Sequence, residues 1–180
     1  NRFPIWSHDG AYVTFQSDRE GDPAIFRQRA DGSSKAERLT TSAKGTVHIP
    51  ESWSSDGKHL AYSVVSTTSN TLWVYALDSK KSTQIPEVDS PRALSASFSP
   101  TGRWIAYTLP TSTRNQVLVQ PFPPTGAKYL VGVGARPLWS PTGKEIFYYR
   151  DQNTFSKTVI MNPQALTFSN ETALPFNVLL

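Results

Sequence analysis

The sequence predicts an all-β protein, a β-propeller of four-stranded antiparallel blades with four blades in this chain. Three observations carry that prediction. An aromatic residue, a serine, two variable residues and a glycine recur four times: Trp6-Ser7-His8-Asp9-Gly10, Trp53-Ser54-Ser55-Asp56-Gly57, Phe98-Ser99-Pro100-Thr101-Gly102 and Trp139-Ser140-Pro141-Thr142-Gly143. Each copy is followed by a short apolar run: Val13-Thr14-Phe15, Leu60-Ala61-Tyr62, Ile105-Ala106-Tyr107 and Ile146-Phe147-Tyr148. The anchors at 6, 53, 98 and 139 lie 47, 45 and 41 residues apart. A period of roughly 40 to 50 residues with several short strands per unit marks propeller blades. No window sustains a 3.6-residue period, so helices are not expected.

The first blade is expected over about 2–42. Phe3 to Trp6 forms its first strand, Asp9-Gly10 turns the chain, and Tyr12 to Gln16 is the second strand. The polar run Ser17 to Pro23 is a loop, Ala24 to Gln28 the third strand, and Glu37 to Thr40 the fourth. The second blade, about 43–87, repeats this order with Pro50 to Trp53, Leu60 to Val65, Thr71 to Leu77 and Ser82 to Ile85. The third, about 88–132, has Leu94 to Phe98, Trp104 to Leu109, Gln116 to Gln120 and Lys128 to Val131. Pro123-Pro124 excludes regular strand between the last two. The fourth, about 133–180, opens with Arg136 to Trp139, Glu145 to Tyr149 and Thr158 to Met161. Its pattern then loosens, and Ala173-Leu174-Pro175-Phe176 is the candidate for a closing strand.

Composition fits a half-buried β protein. Of 180 residues, 38% are hydrophobic and 12% aromatic. Aromatic residues suit strands that bury one face. No apolar run approaches the 18 residues of a membrane-spanning helix. There is no cysteine, so neither disulfides nor thiolate chemistry is available. The net charge of +4 is dispersed, and Lys80-Lys81 is the only adjacent basic pair. A nucleic-acid surface would need clustered cations, so none is expected. The chain begins inside a repeat, which predicts a piece of a longer protein.

The motif has a physical reading. The anchors Trp6, Trp53, Phe98 and Trp139 are large rings expected to fill the layer between blades. The serine beside each can bond backbone across the turn. Gly10, Gly57, Gly102 and Gly143 supply the backbone conformation that other residues resist. Ala61 and Ala106, small residues between large ones, predict close packing near the ring axis. Thr14 and Phe147 stand in their place in the outer two blades.

Other residues invite chemical readings. Ser7-His8-Asp9 spells a hydrolase triad, but consecutive residues cannot align nucleophile, base and orienter. Asp18, Glu20 and Asp22 place three carboxylates in one loop, a candidate Ca²⁺ site. The loop lacks the length and bidentate Glu of an EF-hand, so a solvated loop paired with Arg19 is expected. His8, His48 and His59 are too scattered for zinc, and His59 is expected at the surface. Trp73, Trp104, Tyr75 and Tyr149 could stack on sugars or peptides, although such strand positions usually face a core. Asn170-Glu171-Thr172 is a glycosylation sequon, meaningful in a secretory eukaryotic source.

The pattern of Trp-Ser-x-Asp-Gly, Ile-Ala-Tyr, an Ile-Phe strand and a Leu-Thr close resembles the TolB-type, or PD40, WD40-like β-propeller repeat. Ser17 to Asp22, Ile25-Phe26 and Arg38-Leu39-Thr40 match it well. His8 and Ser55 depart from the usual Pro, Thr101 and Thr142 from the usual Asp, and the fourth blade lacks a Leu-Thr close. The stretch 162–169 is similar to the last stretch of propellers attached to bacterial membrane-bound kinases and regulators. The resemblance implies a periplasmic or extracytoplasmic, non-enzymatic scaffold that binds a protein partner or ligand without a cofactor. It also admits the accessory propeller of a prolyl-oligopeptidase-like peptidase, or a lectin-like propeller. Propellers of this type usually have six to eight blades. Four blades in an open arc would leave two apolar faces, each worth about 12 kcal/mol if roughly 500 Å² were buried. The chain is therefore expected to close as a small four-bladed ring, to pair with another copy through those faces, or, the favoured reading, to form part of a larger ring.

Overall fold

A computed structural model describes residues 1–161 and 165–175. Among them every regular element is a strand, in four antiparallel sheets. The first sheet is β1 (Arg2–Trp6), β2 (Tyr12–Ser17), β3 (Ala24–Arg29) and β4 (Glu37–Arg38). The second is β5 (Val47–Trp53), β6 (His59–Val65), β7 (Asn70–Ala76) and β8 (Lys81–Ser90). The third is β9 (Ser97–Phe98), β10 (Trp104–Pro110), β11 (Asn115–Pro121) and β12 (Tyr129–Val133). The fourth is β13 (Ala135–Trp139), β14 (Glu145–Arg150), β15 (Asn153–Met161), β16 (Leu166–Phe168) and β17 (Thr172–Ala173). Strands follow chain order in every sheet, with β17 added against β15. These are the expected all-β propeller blades. The chain divides into two compact units, Asn1–Ala93 with the first two sheets and Leu94–Leu180 with the last two.

Each unit has a core between its two sheets. In the first, Ile25 and Leu39 pack with Leu60, Tyr62 and Tyr75. In the second, Ala106, Val117 and Val119 pack with Trp139, Ile146 and Tyr148. Each fully buried large apolar side chain there contributes about 1.5–3 kcal/mol. The opposite face of the first sheet carries Phe15 and Phe26. The Arg19 guanidinium lies 5.2 and 5.3 Å from those two ring centroids.

Several strands differ from the expected bounds. β5 begins at Val47, before Pro50, because a register irregularity between Pro50 and Ser52 lets the pairing continue. β8 runs past residue 87 because Ser90 and Asp89 pair with Asn70 and Thr71. β15 begins at Asn153, five residues before the expected Thr158. Arg150 pairs with Asn153 across a two-residue turn in which Asp151 and Gln152 both have positive φ, 50° and 64°. That is the backbone of a tight hairpin turn, written here without the glycine that usually announces it. The fourth sheet is closed by Leu166–Phe168 against Val159–Met161. Of the expected closing strand only Ala173 is in a strand, opposite Phe155. Phe176 lies outside the described residues, as do positions 162–164 of the tail.

Candidate functional site

The four motif turns share one hydrogen-bond scheme. The glycine N–H donates to the carbonyl of the motif serine at 2.9–3.0 Å in each, and the four glycines have φ of 67–70°. An added side chain would be strained in that region. The serine Oγ accepts the backbone N–H five residues on: Tyr12 at 2.9 Å, His59 at 3.0 Å, Trp104 at 3.2 Å and Glu145 at 3.1 Å. Its hydroxyl also meets the residue two positions on. Ser7 donates to Asp9 at 2.6 Å and Ser54 to Asp56 at 2.5 Å. Ser99 and Ser140 meet Thr101 and Thr142 at 3.1 and 3.2 Å. Threonine thus closes the same turn as aspartate, without the charge. Ser7 and Asp9 bond directly, so Ser7-His8-Asp9 is a turn and lacks the order of a Ser–His–Asp relay.

The anchors are not equivalent. Trp53 donates its indole N–H to Thr14 Oγ1 at 2.9 Å, and Trp139 donates to the Ser97 carbonyl at 3.2 Å. Each anchor reaches back to the preceding sheet of its unit. The small residues at 14 and 106 make the seat: both are fully buried, and Ala106 shares a core with Trp139. Phe98 is 6% exposed and meets Phe122 edge-on at 5.2 Å. Trp6, expected to fill an inter-blade layer, is 63% exposed. Among the described residues its indole makes no hydrogen bond like those of Trp53 and Trp139.

The acidic loop is also organised differently from expectation. Its partner is Arg38, not Arg19. Arg38 pairs with Asp22 and meets Glu20 at 3.2 Å. Asp22 also accepts the N–H of Ser42 at 2.7 Å and its hydroxyl at 3.0 Å. The Arg38 hydrogen bond is the main reason the Asp22 carboxyl is held down at about 2. Arg19 stacks on Phe15 and Phe26 instead and bonds Ser17 Oγ at 3.1 Å. Carboxylates engaged by a guanidinium make a loop brace, and no group of three or more metal-binding side chains occurs among the described residues. His59 is half-buried rather than exposed, and His8 is exposed.

A cleft of about 240 Å³ lies in the first unit beside the two aspartate turns. Asp9, Asp56, Tyr12, Arg27, Trp53 and Leu77 line it. Arg27 lies 4.8 Å from the Tyr12 ring centroid and pairs with Glu37 at 2.8 Å. Asp9 and Asp56 each spend Oδ1 on the turn, accepting Ala11 N and Lys58 N at 3.0 Å besides the serine hydroxyl. The serine hydroxyl is the first cause, and the backbone N–H the second, that hold both carboxyls below their usual range. Both are ionised at neutral pH. The cleft therefore offers two fixed negative charges beside aromatic walls, a setting that accepts a cationic side chain. The sequence showed the carboxylates as turn residues; that two turns flank one cleft was not visible, since it depends on how neighbouring sheets align.

No protein-family model matches the sequence, and no curated protein matches it. Solved structures do. TolB from Acinetobacter baumannii is similar over 93% of this chain at 21% identity, with a TM-score of 0.72, and the chain spans 42% of it. A protein assigned as TolB from Agrobacterium tumefaciens is similar over 96% at 18% identity, TM-score 0.69, and the chain spans 66% of it. The chain has a TolB-type β-propeller fold. The expectation that this fold means a non-enzyme does not stand. Blades of the same kind occur in an oligogalacturonate lyase in complex with manganese, similar over 81% of this chain at 16% identity with a TM-score of 0.61. They also occur in a prolyl endopeptidase and in oligopeptidase B from Trypanosoma brucei. The fold hosts enzymes as well as TolB.

Proposed function

We propose that this chain is the recognition segment of an extracytoplasmic bacterial β-propeller and that it binds a protein partner. One observation carries the reading. Two carboxylates, fixed by identical turns, border one aromatic cleft, which suits a lysine or arginine presented by another protein. Rigid strands that hold variable turns suit recognition. Similarity to TolB supports the extracytoplasmic setting. Within the described residues no helix is long and apolar enough to cross a membrane.

The threonine turns of the second unit supply the test. In Asp9→Thr/Asp56→Thr the turns should persist, as they do around Thr101 and Thr142. The charge should vanish. The double variant should melt within about 1 kcal/mol of the parent chain, since surface changes rarely exceed that. Binding to lysine- and arginine-bearing segments on an array of envelope-protein peptides should fall at least about tenfold, the scale of a lost charge-assisted bond. Unchanged binding would reject the cleft as the contact.

The peptidase structures favour a second reading, an accessory propeller beside a hydrolase domain. Peptide hydrolysis by the full-length parent protein, abolished on removal of a separate domain, would select it.

A further inference from the structure

A second hollow in the first unit, separate from the aspartate cleft, arises from a mismatch in strand length. β4 has two residues and β8 has ten. The chain that follows the short strand, from Leu39 to Thr41, borders a hollow of about 420 Å³. Its wall is aromatic. Tyr62 and Trp73 have ring centroids 6.5 Å apart, and Tyr75 stands beside them. The Trp73 indole N–H is given to Thr71 Oγ1 at 2.9 Å, so the ring offers the guest a face rather than a donor.

The polar side is equally definite. His48 is 6% exposed, lies against Tyr62 at 5.2 Å, and has Nδ1 2.9 Å from Thr40 Oγ1. Thr40 Oγ1 already accepts Ile25 N–H at 3.0 Å. With two lone pairs and one proton, that hydroxyl can either donate to His48 Nδ1 or accept from it. This contact engages Nδ1, and Nε2 is the second polar atom of the ring. Thr46 and Ser82 add hydroxyls, and among the described residues Lys80 is the one cation of the lining and no Asp or Glu lines the hollow.

We propose that this hollow binds a sugar acid, its pyranose ring against Trp73 and its carboxylate at Lys80. A pyranose presents a C–H face to an aromatic wall and hydroxyls to its edge. The histidine ring and the serine and threonine hydroxyls meet that edge. A cationic guest would face Lys80, and none of the described lining residues carries a carboxylate to pair with it. A wholly apolar guest would leave His48 and Lys80 without partners, which costs affinity. The space falls in the range of small-ligand sites and suits a mono- or disaccharide.

Isothermal titration of the 180-residue chain with D-glucuronate, D-glucose and phenylacetate tests this. D-glucuronate should bind with Kd on the order of 1 mM. D-glucose should bind about tenfold more weakly, because it lacks the charge-assisted bond. Lys80→Gln, at an exposed turn position, should erase the difference between the two sugars and leave the melting curve unchanged. The Trp73 indole NMR signal, identified by its loss in Trp73→Phe, should move with saturation. Four results would overturn the proposal: no glucuronate binding up to about 20 mM, equal binding of glucose, tighter binding of phenylacetate, or a Lys80→Gln variant that still prefers glucuronate.

Discussion

At the scale of single residues, the same side chains serve in quite different ways according to their neighbours. Thr14 is a hydroxyl seat for an indole, Thr101 closes a turn, and Thr40 joins the Ile25 N–H to the His48 ring. His48 yields a sharp pH prediction. Burial is the main cause that holds its pKa down at about 4; the Asp22 charge opposes this and the Arg38 charge adds to it. The folded chain thus binds this proton less readily than the unfolded chain. The stability at stake is complete above about pH 6.5 and is lost as pH falls to about 4. The difference amounts to about 3 kcal/mol. Urea midpoints should fall by that measure between pH 7 and pH 4, and His48→Gln should flatten the slope. Asp22 does not confuse the result. Its lowered pKa contributes above about 3.9 and is lost only as pH falls toward 2.

At the scale of elements, turns and strand ends decide the packing. Gly132 in β12 and Gly134, between β12 and β13, face the buried Tyr148 ring of the fourth sheet. A Cβ on Gly134 would stand 2.6 Å from Tyr148 Cδ2 and 2.9 Å from the Tyr149 carbonyl. One of these is backbone, so the strand itself would have to shift. Gly134→Ala should therefore destabilise the second unit by about 1–3 kcal/mol, as overpacking does. Gly126→Ala is the contrast for space: its added Cβ would meet nothing within 4 Å, though its φ of 89° still strains an alanine. Guanidinium denaturation of both variants separates steric conflict from backbone strain; equal losses would show that crowding against Tyr148 is not the cause. Beside the same glycines, Arg150 donates to the Val133 carbonyl at 3.2 Å and holds Glu171 at 2.5 Å, and Glu171 also accepts the Tyr148 hydroxyl. The segment that leads into β17 is thus tied to the same ring.

At the scale of the molecule, the fold was legible because its signals are local and repeated. An anchor, a serine and a glycine five positions long specify each turn, and four copies specify blades. What escaped the sequence depends on register between distant strands. Arg38 rather than Arg19 braces Asp22 because β4 returns beside the loop before β3. The hairpin at Asp151-Gln152 was hidden because no glycine marks it. The sugar-acid hollow was hidden because it depends on the unequal lengths of β4 and β8, although Trp73 and Tyr75 were visible as candidates. The aspartate cleft needed two sheets side by side. The backward reach of Trp53 and Trp139 carries one more consequence, in time rather than space. A ribosome releases Thr14 before Trp53 and Ser97 before Trp139. Each of these two tryptophans thus emerges when its acceptor has already been made, so neither sheet junction has to wait for later chain. Synthesis in the N-to-C direction and assembly in the same direction then coincide, and Trp6 is the one indole of the three for which this chain makes no seat in advance.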